Sequence, residues 1–195
     1  MYELKHEKSL VQAAQAGDRA AFERLYDAFF PGLYGYIRSR MSTTVDAEDL
    51  VSDVVLMVVR KLEDFRWQFP GSFRAWLFQI ARRKLADYYR RNPAPADALD
   101  EHETLSDSSP TPEIQTLHRE VSVDVLRVIE ELSPRKQEVV LLRYFGDLQN
   151  KEIAAVLDLD ERTVSAHLSR ALSELQEKLE KDTKNLLLNK EPSYD

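Results

Sequence analysis

One segment without helical periodicity divides an otherwise helix-patterned chain. Residues 92–113, NPAPADALDEHETLSDSSPTPE, are rich in Pro, Ser and acidic side chains. Elsewhere apolar residues recur three and four positions apart, and only five glycines occur in 195 residues. That spacing predicts α-helices, whereas so polar a segment has too little apolar surface to fold and predicts an extended linker. We therefore expect an all-α fold of two small helical domains joined by a flexible acidic linker.

The domain boundaries follow from this division. We place an N-terminal domain at residues 1–92, the linker at 93–113, a C-terminal domain at 114–182 and a tail at 183–195. Each domain is long enough to bury a small core of its own. The sequence therefore predicts two separate units rather than one continuous bundle.

The composition excludes several classes of function. The chain has no Cys, so thiol catalysis, disulfides and Cys-based metal sites are absent. Its four His show no metal-ligand spacing. The sequence contains no glycine-rich phosphate loop and no nucleophile elbow. We therefore expect no catalytic residues, no metal, no cofactor and no enzyme activity.

The sequence also lacks membrane and export signals. The first ten residues carry charged side chains and no apolar core, so they do not resemble a signal peptide. The longest apolar run, Val54 to Val59, is far too short to cross a bilayer. We expect a cytoplasmic protein with no membrane insertion.

Capping residues and apolar spacing predict the helix boundaries. In the N-terminal domain they predict helices from about Glu7 to Gly17, from Asp18 to Met41 with a kink at Pro31, from Asp46 to residues 62–64, and from Phe73 to Arg91. In the C-terminal domain they predict helices from Glu113 to Leu132, from the cap Ser133 to Gly146, and onward from the cap Asn150.

Residues 150–172, NKEIAAVLDLDERTVSAHLSRAL, have the pattern of a helix-turn-helix. The pattern has two apolar faces, Ile153, Ala154 and Leu157, then Val164, Leu168 and Leu172. A helical hairpin of another kind is the alternative. In a helix-turn-helix the second helix would offer its outer face to the major groove, and that face comprises Arg162, Thr163, Ser165, Ala166, His167, Ser169 and Arg170.

Charge is distributed unevenly along the chain. The formal net charge is -7, yet residues 70–92 carry six basic side chains against the single acid Asp87. Proteins that bind nucleic acid by charge alone are usually basic overall. Any contact with nucleic acid is therefore expected to be local and to depend on a partner.

The third predicted helix, DAEDLVSDVVLMVVRKLEDF, carries a stripe of carboxylates. Asp46, Asp49 and Asp53 are three and four positions apart and share one side of the helix. Such a stripe suits docking to a basic partner, and it is also typical of a merely solvated face. The residues alone leave both interpretations open.

The fourth predicted helix, FRAWLFQIARRKLADYYRR, interleaves cations with aromatic rings. Trp67 and Phe69 add rings in the loop just before it. This combination suits single-stranded nucleic acid, because guanidinium groups hold phosphates while rings stack on unpaired bases. The alternative is that Trp76 and Phe78 belong to the core and the arginines only keep the helix soluble.

Taken in order, these motifs resemble the sigma-70 family of bacterial transcription initiation factors, of the compact extracytoplasmic-function (ECF) type. DAEDLVSDVVLMVVRKLEDF resembles region 2.2, GSFRAWLFQIARRKLADYYRR resembles regions 2.3 and 2.4, and residues 132–172 resemble region 4. The resemblance implies an RNA polymerase sigma factor that directs promoter-specific initiation, with minus-10 melting and minus-35 recognition. The alternative is a stand-alone helix-turn-helix regulator that binds duplex DNA without polymerase.

The resemblance also implies a role for each group of residues. Docking on the β′ coiled coil of polymerase falls to Asp46, Glu48, Asp49, Leu50 and Asp53. Melting of the minus-10 element and capture of an unpaired base fall to Trp67, Phe69, Phe73, Arg74, Trp76, Gln79, Arg82, Arg83, Lys84, Arg90 and Arg91. The outer face of the helix-turn-helix reads minus-35 DNA. The implied partners are core polymerase, through its β′ coiled coil and β flap, promoter DNA and an anti-sigma protein.

The sequence departs from the family pattern in the predicted recognition helix. Ser165, Ala166 and His167 stand where the family usually has a basic cluster, and Leu172 stands where an Arg is common. Fewer cations neutralise fewer phosphates, so we expect weak minus-35 binding with a shallow salt dependence. Asp158 replaces the usual turn glycine, and since Asp tolerates the left-handed conformation, we expect the turn to form.

Overall fold

The computed structural model describes residues 6–92 and 123–188 of the chain. The predicted linker, the first part of the helix predicted from Glu113 and the end of the tail lie outside them. All regular structure within the described ranges is α-helical, which confirms the predicted fold class. An N-terminal unit comprises α1 (Glu7–Gln15), α2 (Arg19–Arg38), α3 (Thr44–Lys61) and α4 (Ser72–Arg91). A C-terminal unit comprises α5 (Val123–Glu130), α6 (Pro134–Tyr144), α7 (Asn150–Leu157) and α8 (Glu161–Leu188).

The caps of the N-terminal unit follow local hydrogen bonding. Asp18 caps α2 as predicted, because its Oδ1 accepts from the amide of Ala21 at 3.2 Å. The helix continues through Pro31 and ends at Arg38, before the predicted Met41. The prediction that α3 begins near Asp46 is correct to within two residues, since the helix begins at Thr44 and Asp46 lies in its first turn. Thr43 is the cap, because its hydroxyl accepts from the amide of Asp46 at 3.1 Å.

The C-terminal unit shows one correct and one wrong prediction of a helix end. Asp158 ends α7 in the left-handed conformation, with φ 54° and ψ 53°, as predicted. The predicted cap Asn150 is wrong, because Gln149 holds that position. Gln149 forms a capping box with Glu152, whose Oε2 accepts from the Gln149 amide at 2.6 Å. Ser133 lies at the N-cap of α6, without a side-chain cap bond.

The apolar cores of the two units are continuous with each other. Within the N-terminal unit, Tyr36 and Phe78 are among the most deeply buried side chains and pack edge to face, with ring centroids 5.4 Å apart. Helix α7 packs against α4, so the core extends from one unit into the other. The two predicted domains therefore form one packed body in this structure.

The first predicted face of the helix-turn-helix is correct and the second is partly wrong. Ile153, Ala154 and Leu157 are buried on α7 as predicted. On α8, Leu172 is 39% exposed, and the buried positions after Val164 are Ala171 and Leu175. These positions are seven and four residues apart, the spacing that keeps a straight helix facing one direction.

No helix in the described part of the chain is long and apolar enough to span a membrane. Among the described residues, His, Asp and Glu side chains form no group of three or more that could hold a metal ion.

Candidate functional site

The acidic stripe of α3 divides between two sides of the helix. Asp46 and Asp53 lie toward α4, where Asp53 Oδ2 accepts from Lys84 Nζ at 2.9 Å and Asp46 accepts from the hydroxyl of Tyr88. Glu48 lies on another side, toward α2. The structure therefore does not gather the predicted docking residues into one uniform acidic surface.

Part of α3 faces solvent with both charge and apolar surface. Glu48 and Asp49 are exposed, whereas the predicted docking residue Leu50 is buried at 7% exposure and belongs to the core. Leu56 is 53% exposed and Val59 is 50% exposed on the same helix. Sequence reasoning missed both. The signal was available, since they are extra apolar residues outside the buried stripe of an amphipathic helix.

The exposed apolar surface continues from α3 onto α2. Tyr26 is 37% exposed and its ring stacks on that of Phe30, with centroids 4.6 Å apart. Beneath these rings is a small apolar cavity of about 30 Å³, which Val55 of α3 also lines. We call the exposed side chains of Glu48, Asp49, Leu56, Val59 and Tyr26 the α3 face.

A larger cavity lies where the loop before α4 meets the start of that helix. Its volume is about 280 Å³, and its lining is Asp64, Phe65, Arg66, Gln68, Phe69, Ser72, Ala75, Trp76, Gln79 and Ala155. Phe69, Trp76 and Gln79 were predicted from the sequence. Arg66 was missed, although it precedes Trp67 in the aromatic loop. Ala155 comes from α7, and no local pattern could have placed it there.

The aromatic residues around this cavity differ in depth. The ring of Trp76 lies 5.0 Å from that of Phe65 and 5.7 Å from that of Phe73, measured between centroids. Phe73 is only 2% exposed and packs on Phe29. Phe73 was predicted at the nucleic-acid site, but the structure places it in the core behind Trp76. Trp67 is half-buried against the same core.

The basic side chains of α4 also differ in their surroundings. Arg74 has a side chain only 13% exposed and contacts the C-terminal unit. Lys84 pairs with Asp53, and Arg90 pairs with Asp87 at 2.8 Å. The side chains that remain exposed to solvent are Arg82, Arg83, Arg90 and Arg91. The predicted basic stripe is therefore continuous only along the second half of α4.

The start of α4 lies in a charged junction of three helices. Gly71 precedes it with φ +84°, and a Cβ there would lie 1.8 Å from Oε1 of Glu152, so only glycine fits. Burial raises the pKa of Glu7, and the Arg74 guanidinium partly opposes that effect. Burial also raises the pKa of Glu152, while its hydrogen bond from the Gln149 amide and the charge of Arg74 lower it.

The predicted recognition surface lies on the first turns of α8. Asp160 precedes this helix and accepts from the amide of Thr163 at 2.8 Å and from its hydroxyl at 2.6 Å, which lowers the pKa of Asp160. The side chains that are exposed are Arg162, Ser165, Ser169 and Arg170, and those that are half-buried are Thr163, Ala166 and His167. The structure therefore brings all seven predicted residues onto one helix, with two cations among them.

Two packed helical units, the second with a helix-turn-helix, define a class of DNA-binding proteins, and comparison with known families gives the particular family. The family model described as Sigma-70 region 2 matches residues 25–93, and the model described as Sigma-70, region 4 matches residues 122–175. Together these matches cover more than half of the chain. The chain belongs to the sigma-70 family of RNA polymerase sigma factors, and within it to the ECF type.

Relatives that are ECF sigma factors align with this chain over most of its length. The ECF RNA polymerase sigma factor BldN of Streptomyces coelicolor is 33% identical over 180 residues, which cover 90% of this chain and 66% of BldN. The ECF RNA polymerase sigma-E factor of Escherichia coli K12 is 28% identical over 189 residues, which cover 92% of this chain and 97% of that protein. A stand-alone helix-turn-helix regulator is therefore not favoured.

Solved structures agree with the fold. CnrH, in complex with the cytosolic domain of CnrY, has a TM-score of 0.66 and 26% identity over 90% of this chain and 98% of that chain. RpoE of Bartonella quintana, in complex with the anti-sigma factor NepR, has a TM-score of 0.60 over 82% of this chain and 96% of that chain. At 22% identity, RpoE supports the fold alone.

Proposed function

We propose that this chain binds core RNA polymerase and directs promoter-specific initiation of transcription. The observation that carries this proposal is the presence of both sigma-70 regions in order on one chain. The N-terminal region presents an exposed face to a protein and an aromatic cavity to nucleic acid. The C-terminal region presents a helix-turn-helix. We assign the N-terminal role to residues 1–92 and the C-terminal role to residues 114–182, with residues 93–113 as the linker between them.

The α3 face is the proposed docking surface for the β′ coiled coil. Leu56 and Val59 supply apolar area that a partner helix can bury. Glu48 and Asp49 supply negative charge, which steers a basic partner surface and fixes its register. Leu50 supports this face from the core, while Asp46 and Asp53 hold the helix against α4. The contribution of Leu50 to docking is therefore indirect.

The cavity before α4 is the proposed site for an unpaired base of the minus-10 element. Phe69 and Trp76 offer rings on which bases stack, at about 1–3 kcal/mol per base. Gln79 offers an amide that can both donate to and accept from a base edge. We assign phosphate contacts to Arg83 and Arg91, which are exposed further along α4. Extrusion of a base into such a cavity favours a melted duplex.

The helix-turn-helix is the proposed reader of minus-35 DNA. Its exposed cations are Arg162 and Arg170, and the positions between them are small or uncharged. Two phosphate contacts give a shallow dependence on salt and little non-specific affinity. The upstream contact therefore depends on polymerase to hold the protein at the promoter, as the net charge of -7 also suggests.

The proposal also covers a regulatory partner, the location of the protein in the cell and the absence of catalysis. The CnrH and RpoE structures each contain a second protein, CnrY in one and the anti-sigma factor NepR in the other. We extend this to an anti-sigma partner for the present chain. The role of a polymerase subunit implies a cytoplasmic location. We assign the chain no catalytic activity and no cofactor, since its relatives bear the name of sigma factors and not of enzymes.

In vitro transcription tests the proposal. Purified protein and bacterial core polymerase are incubated with fragmented genomic DNA, and transcript starts are mapped against core polymerase alone. We expect new discrete starts that share an upstream motif. The matched control is Asp49→Lys, which should bind core polymerase about 100-fold more weakly and, at the same protein concentration, give far fewer starts. If the wild-type protein binds DNA fragments but does not bind polymerase and gives no new starts, the result would instead support a stand-alone regulator.

A further inference from the structure

The loop between α3 and α4 carries rings that surround the proposed minus-10 cavity. Residues 62–71, which we call the aromatic loop, contain Phe65, Trp67 and Phe69 and form no helix. Phe65 and Phe69 line the cavity together with Trp76 of α4. A segment without regular structure needs partners elsewhere in the fold for its buried backbone groups. The shape of the cavity therefore depends on what holds the aromatic loop.

Helix α1 holds the start of the aromatic loop through one side chain. Gln15 is the last residue of α1, and its side-chain amide donates to the carbonyl of Leu62 at 2.9 Å and to the carbonyl of Phe65 at 2.8 Å. A glutamine amide has two N–H donors, and these two bonds use both. The bonded residues are 47 and 50 positions apart in the chain, so the contact is a feature of the tertiary fold.

Phe65 extends this restraint to the wall of the cavity. Its ring is 8% exposed and lies 5.0 Å from the ring of Trp76 and 5.6 Å from that of Phe73, measured between centroids. Because Gln15 holds the carbonyl of Phe65, a backbone movement that takes this ring away from Trp76 would strain or break that bond. Gln15 therefore acts on the aromatic wall through Phe65.

The other end of α1 lies at the end of the aromatic loop. Glu7 begins α1, and burial raises the pKa of its carboxyl, while the Arg74 charge and the backbone amides of Gly71 and Arg74 lower it. Gly71 is the N-cap of α4, and as a glycine it has no side chain to cap the free amides of that helix. The Glu7 carboxyl therefore offers oxygen acceptors at the start of α4 that the local sequence does not supply.

Both contacts come from one short helix. Glu7 and Gln15 are eight positions apart, which is about 12 Å along a helix at about 1.5 Å per residue. The nine-residue step from Leu62 to Gly71 could reach about 30 Å if the chain were extended. Val11, midway along α1, is 1% exposed, so the core fixes the helix in place. The aromatic loop is therefore folded back between two attachments on a buried helix.

The roles proposed above make no use of α1. This helix precedes residues 25–93, the part of the chain that the Sigma-70 region 2 model matches. We propose that α1 holds the aromatic loop in the shape that admits an unpaired base, with Gln15 and Glu7 as positioning residues that do not contact DNA. The inference rests on the proposed function of the cavity. A loop ordered in advance avoids the entropic cost of ordering it when the base binds.

Gln15→Leu tests this restraint in the free protein, since it removes both donors and keeps a side chain of similar size. We expect amide hydrogen exchange in the aromatic loop to become about tenfold faster, because two hydrogen bonds no longer oppose its opening. Trp67 and Trp76 are the two tryptophans of the chain, so tryptophan emission reports this region and should shift to longer wavelength. Unchanged exchange in the loop would overturn the inference.

Two further variants separate loss of the restraint from loss of the fold. Gln12→Leu makes the same change at an exposed position of α1 and should leave exchange and emission at their wild-type values. Gln15→Lys ends in a donor again and should restore most of the protection from exchange. Circular dichroism gives the helix content and Tm of all three variants. Equal losses of protection in Gln15→Leu and Gln15→Lys would assign Gln15 to packing and overturn the inference.

Base discrimination by the holoenzyme tests what the restraint does for the cavity. A promoter found by transcript mapping is substituted one base at a time through its minus-10 element, and opening is measured by permanganate reactivity. At the position whose base enters the cavity, wild type should favour one base about tenfold. Gln15→Leu should lose most of this preference while its polymerase affinity stays unchanged. A general loss of stability would instead lower opening on every template by the same factor.

Failure of the inference and failure of the proposed function give different results. If wild type opens no promoter while Gln15→Leu still speeds exchange in the aromatic loop, the proposed function is wrong and the attachment of the loop to α1 stands. If wild type opens promoters and Gln15→Leu keeps the full base preference despite a loosened loop, the positioning role is overturned and the proposed function stands.

Discussion

Helices α3 and α4 are neighbours in the N-terminal unit, yet their proposed functional faces differ in exposure to solvent. The α3 face is open to solvent, with Leu56 and Val59 each about half exposed. The start of α4 is covered, because Gln79 and Arg74 hydrogen-bond to carbonyls of the C-terminal unit. A protein partner can reach α3 without rearrangement, whereas at the start of α4 the side chains of Gln79 and Arg74 are already engaged by the C-terminal unit. Polymerase binding and DNA binding are therefore separable by mutation.

The largest effect is expected at the open face. Asp49→Lys reverses an exposed charge that is proposed to face a basic partner, and juxtaposed like charges cost several kcal/mol. We expect binding to core polymerase to weaken by about 100-fold. Titration of fluorescently labelled protein with core polymerase, checked by gel filtration, gives the affinity.

Glu177→Lys is the control for Asp49→Lys. It makes the same change in net charge at an exposed position of α8, and it should leave polymerase affinity unchanged. Equal loss in both variants would indicate an effect of total charge. Retained binding by Asp49→Lys would show that α3 is not the docking helix.

A smaller effect is expected at the covered site, and it should change DNA opening rather than polymerase binding. Trp76→Ala removes a ring that lines the cavity, and the loss of one stacked base costs about 1–3 kcal/mol. We expect open-complex formation to fall by about tenfold, while polymerase affinity stays at the wild-type value. Trp76→Phe keeps a ring and should restore most of the activity.

The readout for Trp76 is the fraction of promoter DNA that becomes permanganate-reactive in the holoenzyme. Trp76 also packs on Phe65, so helix content and Tm must be compared for both variants. Similar losses in Trp76→Phe and Trp76→Ala would assign the residue to packing alone. A loss of polymerase binding by Trp76→Ala would remove the distinction between the two helices.

A third, weaker effect refines the composition of the α3 face. Leu56→Ser removes apolar area from a side chain that is 53% exposed in the free protein. Since complete burial of a Leu side chain is worth about 1.5–3 kcal/mol, we expect a loss of polymerase affinity of about fivefold. The Tm should change little, because Leu56 contributes little to the core. An unchanged affinity would restrict the docking surface to the acidic positions.

The sequence predicted local features of the fold better than features that depend on residues far apart in the chain. The buried faces of Ile153 and Leu157 follow from helical spacing, and the left-handed Asp158 follows from its side chain. The start of α3 was predicted within two residues, and the cap Thr43 was not singled out, although its hydroxyl accepts from the amide of Asp46. Leu172 was wrongly expected inside, because strict spacing of four drifts around a helix of 3.6 residues per turn.

The sequence predicted the type of the candidate site, but it did not predict how deeply its aromatic residues are buried or that the C-terminal unit contacts it. The aromatic and basic pattern indicated a nucleic-acid surface, but it could not show that Phe73 lies beneath Trp76. Neighbouring rings on one helix look alike in sequence, and their depth depends on the helices packed around them. The bond from Gln79 to Ala155 joins residues 76 positions apart, so it depends on how two units meet.

The smallest expected effect concerns pH at the covered end of α4. Burial raises the pKa of Glu7 above its ordinary value, and the charged groups that act on it or lie beside it are Arg74 and Glu152. A raised pKa in the folded state means that the neutral carboxyl is favoured there. Its contribution to stability is therefore complete below the ordinary carboxyl value and is lost as pH rises through the raised pKa.

Glu7→Gln replaces this carboxyl with a neutral group of similar shape, so it should remove that loss. We expect the Tm of the variant to exceed that of wild type by about 2 °C at about pH 7.5, with the difference shrinking toward about pH 5. Glu23→Gln, at an exposed position of α2, is the control and should show no such trend. A Glu7→Gln variant less stable than wild type at both pH values would mean that the ionised carboxylate stabilises the start of α4 through the Arg74 charge and the Gly71 amide. In that case charge would stabilise the covered end of α4, and that stabilisation would be lost as the pH falls through the carboxyl pKa.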